Sequence, residues 1–463
     1  MTRREFVTST GAGALAIAGA ARQAIAMQAA PPRSNLLYIV VDQLSGLALP
    51  LQDANARMPN TLSLAKSGVH FSHAYSGAMT CGPSRACLDT GLYTQSHGVG
   101  GGFTMPVSVD SLPRTLAAAG YVSSHPSGYS LESERAEHEK WLVQLGYEQP
   151  LSSIYGVDSM ARYLELPLKW KCGRAGVAPE HGFDEYCAQR AIRFLETNQK
   201  KQFACFLQLR GPHDPYMVPR PFDSLIDPNK LALPPYRSGE FKNKPRRQRE
   251  SFETQGASKM TDTQIRQILA VYYGMAAYSD HCAGLVLNRL HDLNLADNTV
   301  VILVSDHGDT MGRHRFMSKD FAFYEPAMRI PMIIRAPGRP GGVVHSDPVS
   351  GIDVFPTLCD LMGLPKPNGI AGQSLAARWE GKPGDSERPI FASQGIPGKN
   401  RAVMLRTPQY KFTRYDDGGS ELYDVVRDPD ELENRIDHPD YARPLRDLKS
   451  RVERWERQYP HRA

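Results

Sequence analysis

A chain of 463 residues, 41% hydrophobic and 22% charged, has the composition of a globular protein long enough for two domains and a large core. Its formal net charge of +5 is mild for that length, which argues against nucleic acid as the main partner and is compatible with an anionic substrate. Seven scattered cysteines without paired CxxC spacing argue against a zinc site.

The first residues read as a targeting signal. Arg3-Arg4-Glu5-Phe6 is a twin-arginine pair followed by an aromatic, Gly11 to Ala21 is a weakly apolar run, and Ala24-Ile25-Ala26 fits a small-x-small cleavage site. Residues 1–26 are therefore expected to be a twin-arginine signal peptide, recognised by the matching export machinery, with a periplasmic or extracellular mature protein. A disordered basic tail is the alternative. The apolar run is too short to span a bilayer, so no stable membrane anchor is expected.

Pro31 and Pro32 open the mature domain. Leu36 to Val41 is a continuous apolar run with β-branched residues, which reads as a buried parallel strand. It ends in Asp42-Gln43. Ligand sites in α/β sheets lie beyond the carboxyl ends of the strands, and an Asp with an amide there suits a hard cation. A capping Asp at a strand-to-loop turn is the plainer reading of Asp42 alone. Asn60 to Ser67 reads as a short helix leading to a strand at Val69-His70-Phe71.

Cys81-Gly82-Pro83-Ser84-Arg85-Ala86-Cys87-Leu88-Asp89-Thr90-Gly91 follows. Pro83 suits a first helical turn and Gly91 a left-handed stop. The unpaired N–H groups at such a helix start attract anions, and Arg85, four residues after Cys81, shares its face. Thiol, guanidinium and helix N-terminus together describe an oxyanion site.

Further along, Ser111 to Ala119 and Glu180 to Glu196 carry helical patterns, and Phe203 to Leu209 is another buried strand, running into Arg210-Gly211-Pro212-His213-Asp214-Pro215-Tyr216. Lys242, Lys244, Arg246, Arg247 and Arg249 form a basic cluster. It is read as a solvated insertion or as a rim attracting an anionic polymer. Thr261 to Asp292 is one long helix in which Asp280 and His281 make a polar turn. Thr299 to Val304 is a further buried strand, ending in Ser305-Asp306-His307-Gly308-Asp309. Ser318-Lys319, Tyr324-Glu325 and Arg329-Ile330-Pro331 follow, with Glu325 and Arg329 expected as a structural ion pair. From about residue 385 the pattern changes to shorter strands, closed by an amphipathic helix from Tyr441 to Tyr459.

The Cys81 stretch resembles the signature of the type I, formylglycine-dependent sulfatases, Cys-x-Pro-Ser-Arg-x-x-x-x-Thr-Gly, at every fixed position. The resemblance extends over nearly all of the mature chain. Glu421-Leu422-Tyr423-Asp424, Asp428-Pro429 and Glu433-Asn434 resemble the C-terminal signature of that family. It implies an α/β fold of the alkaline phosphatase superfamily: a large mixed, mostly parallel sheet sandwiched by helices over 34–384, and a small C-terminal α+β domain with an antiparallel sheet over 385–463. It implies hydrolysis of sulfate esters of a sulfated small molecule or glycan. Cys81, oxidised to formylglycine by a maturation enzyme, would provide a hydrated aldehyde as nucleophile. Asp42, Gln43, Asp306, His307 and modified Cys81 would hold one divalent cation, Ca²⁺ first, with Mg²⁺ or Mn²⁺ compatible. Arg85 would stabilise the nucleophile, Lys319 would hold the sulfate, and His213 would protonate the leaving oxygen.

Two departures qualify that picture. The Asp-Gln and Asp-His pairs replace the more usual Asp-Asp and Asp-Asn, and also resemble phosphonate monoester hydrolases and choline-sulfatase-like relatives. The family's Gly-Lys-x-His after an Ala-Gly-Tyr turn is missing after Ala119-Gly120-Tyr121, where His125, Ser127 and Tyr129 are the residues within reach. A phosphonate monoester or phosphodiester hydrolase, and a non-catalytic binder of sulfated glycans, are therefore the competing expectations.

Overall fold

Asn35–Val41, Phe203–Leu209 and Thr299–Val304 lie side by side and parallel at the middle of a sheet. All their residues are buried, which is why they read as unbroken apolar runs rather than alternating ones. This computed structural model describes residues 33–461 apart from 101–105, 107, 126–130, 148–150, 153–155, 158–160, 168–170, 320–321 and 397–398. The expected signal segment 1–26, and Ser127 and Tyr129, lie outside the described residues.

Seven described strands make up the sheet, in the order Val343–His345, Val69–Phe71, Met332–Arg335, Thr299–Val304, Asn35–Val41, Phe203–Leu209, Val122–Ser123. Only Met332–Arg335 runs against its neighbours, so the sheet is mixed but mostly parallel, as expected. Alternate residues feed two cores. Leu37, Ile39 and Val41 face the helices Phe183–Asn198 and Asp262–Asp292. Leu36, Tyr38 and Val40 face Cys81–Thr90, Leu112–Ala118 and Val354–Met362. Among the described residues no helix is long and apolar enough to cross a membrane.

Towards the C-terminus, Ile390–Ile396, Lys399–Arg406, Tyr410–Tyr415 and Ser420–Asp424 form an antiparallel four-stranded sheet. The helix Ala442–Gln458 covers it through Leu448, Val452 and Trp455, with Trp455 stacked on Phe391 at 5.0 Å between ring centres. Ala78, Cys87 and Ile352 share this core, so the C-terminal sheet packs against the Cys81 helix and residues Asn35–Ala463 form one unit.

Three local expectations change. Glu325 does not pair with Arg329. Its carboxylate turns to Lys411 at 2.9 Å and Arg406 at 3.0 Å, while Arg329 donates to the Ser72 carbonyl. The basic cluster is not one surface. Lys244 is buried, donating to the Tyr324 hydroxyl and the Glu431 carbonyl, and Arg247 faces Asp417 at 3.7 Å. Lys242, Arg246 and Arg249 remain exposed.

Asp280 is more than a polar turn. It reaches from the long helix to cap another, Pro59–Ser67, whose own N-cap residue Met58 provides no side-chain bond. Its carboxylate accepts from the backbone N–H groups of Asn60 (3.0 Å) and Thr61 (2.7 Å) and from the Thr61 hydroxyl (2.6 Å). Asp280→Ala leaves the buried Thr61 N–H and hydroxyl without their acceptor, at about 1–3 kcal/mol each, and the half-buried Asn60 N–H to water. We expect a loss of about 3 kcal/mol in urea unfolding, with kcat/KM of the folded variant preserved.

Candidate active site

The parallel strands set the site. The backbone N–H of Asp42 donates to the Leu209 carbonyl (2.9 Å), and that of Leu44 to Ser305 Oγ (3.0 Å), so the three strand ends are tied together just where the chain leaves the sheet. Asp42-Gln43 and Asp306-His307 thus reach one edge, as the two Asp-ended apolar runs predicted, and the Arg210–His213 turn joins them there.

The helix Cys81–Thr90 brings the fourth component. It ends, as read from the sequence, at Gly91, whose φ of 65° places it in the left-handed region and whose N–H returns to the Cys87 carbonyl. Ser84 Oγ bonds to the Asp306 carbonyl and to Ser76 Oγ, fixing the helix to the second strand end. Arg85 then spans the site: Nη2 meets Asp42 Oδ2 and Nε meets Asp306 Oδ2, each at 2.9 Å, and Nη1 meets Gln208 Oε1 at 2.5 Å. This leaves the Oδ1 atoms of both carboxylates on the side of the thiol and the imidazole. Cys81 Sγ lies 3.2 Å from His307 Nε2 and 3.7 Å from Asp42 Oδ1.

Electrostatics follow from burial. Burial would raise the Asp42 carboxyl, but Arg85, with Lys319 and His307, overrides it and holds the group below its usual range. Burial and the neighbouring Asp42 push the Cys81 thiol up to about 12, so an unmodified Cys81 is a neutral thiol and a poor nucleophile. Burial keeps His307 neutral.

A metal ion fits the donor set. Donor atoms of Asp42, Cys81, Asp306 and His307 all lie within 4.8 Å of one another. His307 Nδ1 donates to the Gly308 carbonyl at 2.9 Å, which places the proton on Nδ1 and turns the Nε2 lone pair into the cluster, the usual arrangement for a metal-binding imidazole. Gln43 arrives with a different set of partners. Its backbone, at φ 67°, donates to Asp306 Oδ1, and its side-chain oxygen accepts from Lys319 Nζ at 2.8 Å.

Lys319 and His213 meet beside that cluster. Nζ of Lys319 donates to His213 Nε2 at 2.7 Å, and His213 Nδ1 donates to the Asp214 carbonyl. Burial, with the Lys319 and Arg210 charges, holds the imidazole well below its ordinary value, hence neutral. Burial opposes the Lys319 charge, and the acidic groups facing it, Cys81 and Asp42 first, more than offset that. The segment after Gly120 contributes less to the described site. Ser124 bonds to the Phe206 backbone, and burial pushes the half-buried His125 down to about 4.

Three groups escaped the sequence reading. Gln208, a polar residue in an apolar strand, was visible as an anomaly. Asp309 and Tyr216 stood in the quoted segments without a role. Asp309 is fully buried and accepts from Gln43 Nε2 (2.7 Å) and the Tyr216 hydroxyl (2.6 Å).

On the Cys81 helix, Asp89 is buried and its Oδ1 has no hydrogen-bond partner among the described residues. Burial pushes this carboxyl from 3.8 up to about 7. Between those values the folded chain holds a proton that the unfolded chain has released, so stability falls as pH rises through that window and the contribution is gone above it. Asp89→Asn should be nearly neutral at pH 4 and stabilising by about 2–4 kcal/mol at pH 8. Urea midpoints at the two pH values measure this, and an equal shift at both would exclude the carboxyl as its source.

Residues 34–364 match the Sulfatase family, and residues 312–458 match the C-terminal family of N-sulphoglucosamine sulphohydrolase. The chain is 26% identical over 449 residues to an ulvan-active sulfatase of Formosa agariphila, covering 92% of this chain and 82% of that protein. It is also 26% identical over 475 residues to a Δ4,5-hexuronate-2-O-sulfatase of Bacteroides thetaiotaomicron, covering 93% and 89%. In fold it is similar to a phosphonate monoester hydrolase of Agrobacterium radiobacter, with a TM-score of 0.81 at 24% identity over 92% of this chain and 96% of that one. The family match spans most of the chain and includes the Cys81 helix and both Asp-ended strands: this protein belongs to the sulfatase family and is a sulfuric ester hydrolase.

Proposed function

We propose that this enzyme removes sulfate from a sulfated carbohydrate, using Cys81 as formylglycine and one divalent cation, Ca²⁺ in preference to Mg²⁺ or Mn²⁺. The observation that carries the reading is the meeting of Asp42, Cys81, Asp306 and His307 donors beside the Lys319–His213 pair. The carbohydrate class follows the ulvan and hexuronate substrates named for two relatives.

Asp42, Asp306 and His307 would hold the cation, with the Gln43 oxygen shared between it and Lys319, and modified Cys81 completing the set. Oxygen donors dominate that set, which is the preference of Ca²⁺. A cation bound there lowers the pKa of a coordinated hydroxyl and offsets charge on the sulfate. Arg85 holds Oδ2 of each carboxylate, so the Oδ1 atoms stay on the side of the thiol and the imidazole, where the cation would sit. Lys319 places an ammonium against the sulfate, where charge develops in the transition state. His213 enters neutral, so the proton delivered to the leaving oxygen is the one shared between Lys319 Nζ and His213 Nε2. The twin-arginine segment fits export of a protein already folded and already modified by the maturation enzyme, to the periplasm or beyond.

The deciding experiment is release of free sulfate from a panel of sulfated glycans, alongside aryl sulfate, aryl phosphonate and phosphodiester probes. Faster turnover of the phosphorus esters would favour the phosphonate hydrolase reading, to which the Gln43 and His307 pairing also points. Glycan binding with no hydrolysis and no need for metal would favour a binder. Lys319→Ala should lower kcat/KM at least about a hundredfold, or about 2.7 kcal/mol, because few cationic donors surround the sulfate. Protein in which peptide mass spectrometry finds Cys81 still a thiol should be inactive.

Metal removal gives an independent check. Dialysis against a chelator should abolish turnover, and Ca²⁺ should restore it more fully than Mg²⁺ or Mn²⁺. Asp306→Ala should lose the metal by elemental analysis. Normal metal content and turnover in that variant would place the site elsewhere.

A further inference from the structure

We infer that Asp309 is a positioning residue that sets the orientation of the Gln43 amide and, through it, of Lys319 and His213. Asp309 is fully buried, three residues beyond Asp306, and receives four hydrogen bonds. Oδ2 accepts from Gln43 Nε2 at 2.7 Å and from the Tyr216 hydroxyl at 2.6 Å. Oδ1 accepts from the backbone N–H groups of Met311 at 2.7 Å and Ser318 at 3.1 Å.

The polarity of these contacts leaves one arrangement. The Gln43 amide presents its NH₂ end to Asp309 Oδ2, because its other end meets an ammonium, which only donates. The oxygen end must then face away, where it meets Lys319 Nζ at 2.8 Å. An ammonium only donates, so His213 Nε2, 2.7 Å from the same Nζ, must accept, and the imidazole proton must sit on Nδ1, against the Asp214 carbonyl. Asp309, Gln43, Lys319 and His213 therefore form a chain with a fixed direction, and Asp309 is the end that anchors it.

Asp309 also holds the backbone that carries Lys319. Met311 and Ser318, whose N–H groups it binds, both adopt positive φ, 52° and 68°, an uncommon region for residues with a side chain. Ser318 is further tied by its hydroxyl to Asp214 Oδ1 at 2.7 Å. One carboxylate thus governs both the amide that touches the ammonium and the turn from which the ammonium extends.

The test exchanges amide and carboxylate. Asp309→Asn places an NH₂ group where acceptors are needed. If that group faces Gln43, relief requires turning the Gln43 amide over, which sets its NH₂ against Lys319. We expect kcat/KM to fall about a hundredfold. In Gln43→Glu two carboxylates face each other, and we expect a loss of about tenfold or more. The double variant Gln43→Glu, Asp309→Asn restores the match of donor and acceptor between positions 43 and 309 with the net charge unchanged, and should return to within about tenfold of wild type. Because many sulfatases carry Asp-Asp at the first pair, a carboxylate at position 43 is compatible with the site. A second readout is the ¹⁵N spectrum of His213 in the full-length protein. Wild type and the double variant should hold the proton on Nδ1, and Asp309→Asn should shift it towards Nε2.

Turnover of Asp309→Asn within about threefold of wild type would overturn the inference, as would an unchanged His213 tautomer. If Asp309→Asn does not fold, the double variant is compared with Gln43→Glu alone, and no gain over it would also be fatal. The inference rests on the sulfatase reading of this site, but the two fail differently. Failure of that reading appears as wild-type protein that turns over none of the sulfate and phosphorus esters, and the spectrum of His213 then still decides the role of Asp309.

Discussion

The Arg85 guanidinium is the contact on which the site depends. Two carboxylates delivered by neighbouring strand ends would repel each other in a medium that solvates neither. Arg85 prevents this by binding Asp306 through Nε and Asp42 through Nη2, with Nη1 on Gln208. A planar fork can serve three acceptors in fixed directions, whereas a lysine ammonium would offer one point of charge.

That arrangement requires the topology around it. Asp42 and Asp306 can share one guanidinium only because their strands are adjacent and parallel, in a register that ends them together at Val40 and Val304. The helix carrying Arg85 is pinned from both sides, by Ser84 on the Asp306 carbonyl and by the C-terminal sheet around Cys87. The C-terminal strands therefore act on the chemistry indirectly, by holding the helix from which Cys81 and Arg85 project.

Much of this was legible in the sequence, where the signal was local. Unbroken apolar runs gave the three central strands nearly to the residue, and their polar ends gave the Asp pairs. Gly91 gave the helix stop. What escaped was set by partners far along the chain. Nothing near Asp280 indicates that it caps a helix some 220 positions earlier. Nothing near Glu325 indicates that Lys411 and Arg406 will outcompete Arg329, four residues away. Lys244 looked like one of five surface cations until Tyr324 and Glu431 closed over it. Asp309 was hidden in another way: it adjoins the Asp306-His307 pair, so its own work of accepting four donors was masked by its neighbours.

The two departures from the family pattern are best understood together. Under the ligand set proposed above, Asp42 and Asp306 are anionic while Gln43 and His307 are neutral. A site with Asp-Asp at the first pair would carry one more negative charge around the same cation. The missing Gly-Lys-x-His removes a positive charge from the sulfate side. Taken singly, the lost lysine weakens sulfate binding, and the lost carboxylate leaves the cation less neutralised and more attractive to an anion. Taken as a pair, they return the balance of charge at the sulfate close to that of the usual site while shifting its source from a flexible side chain to the ion itself. Gln43 is where the two changes meet, since its oxygen already touches the remaining Lys319. The amide holds the ammonium in place by a bond weaker than an ion pair.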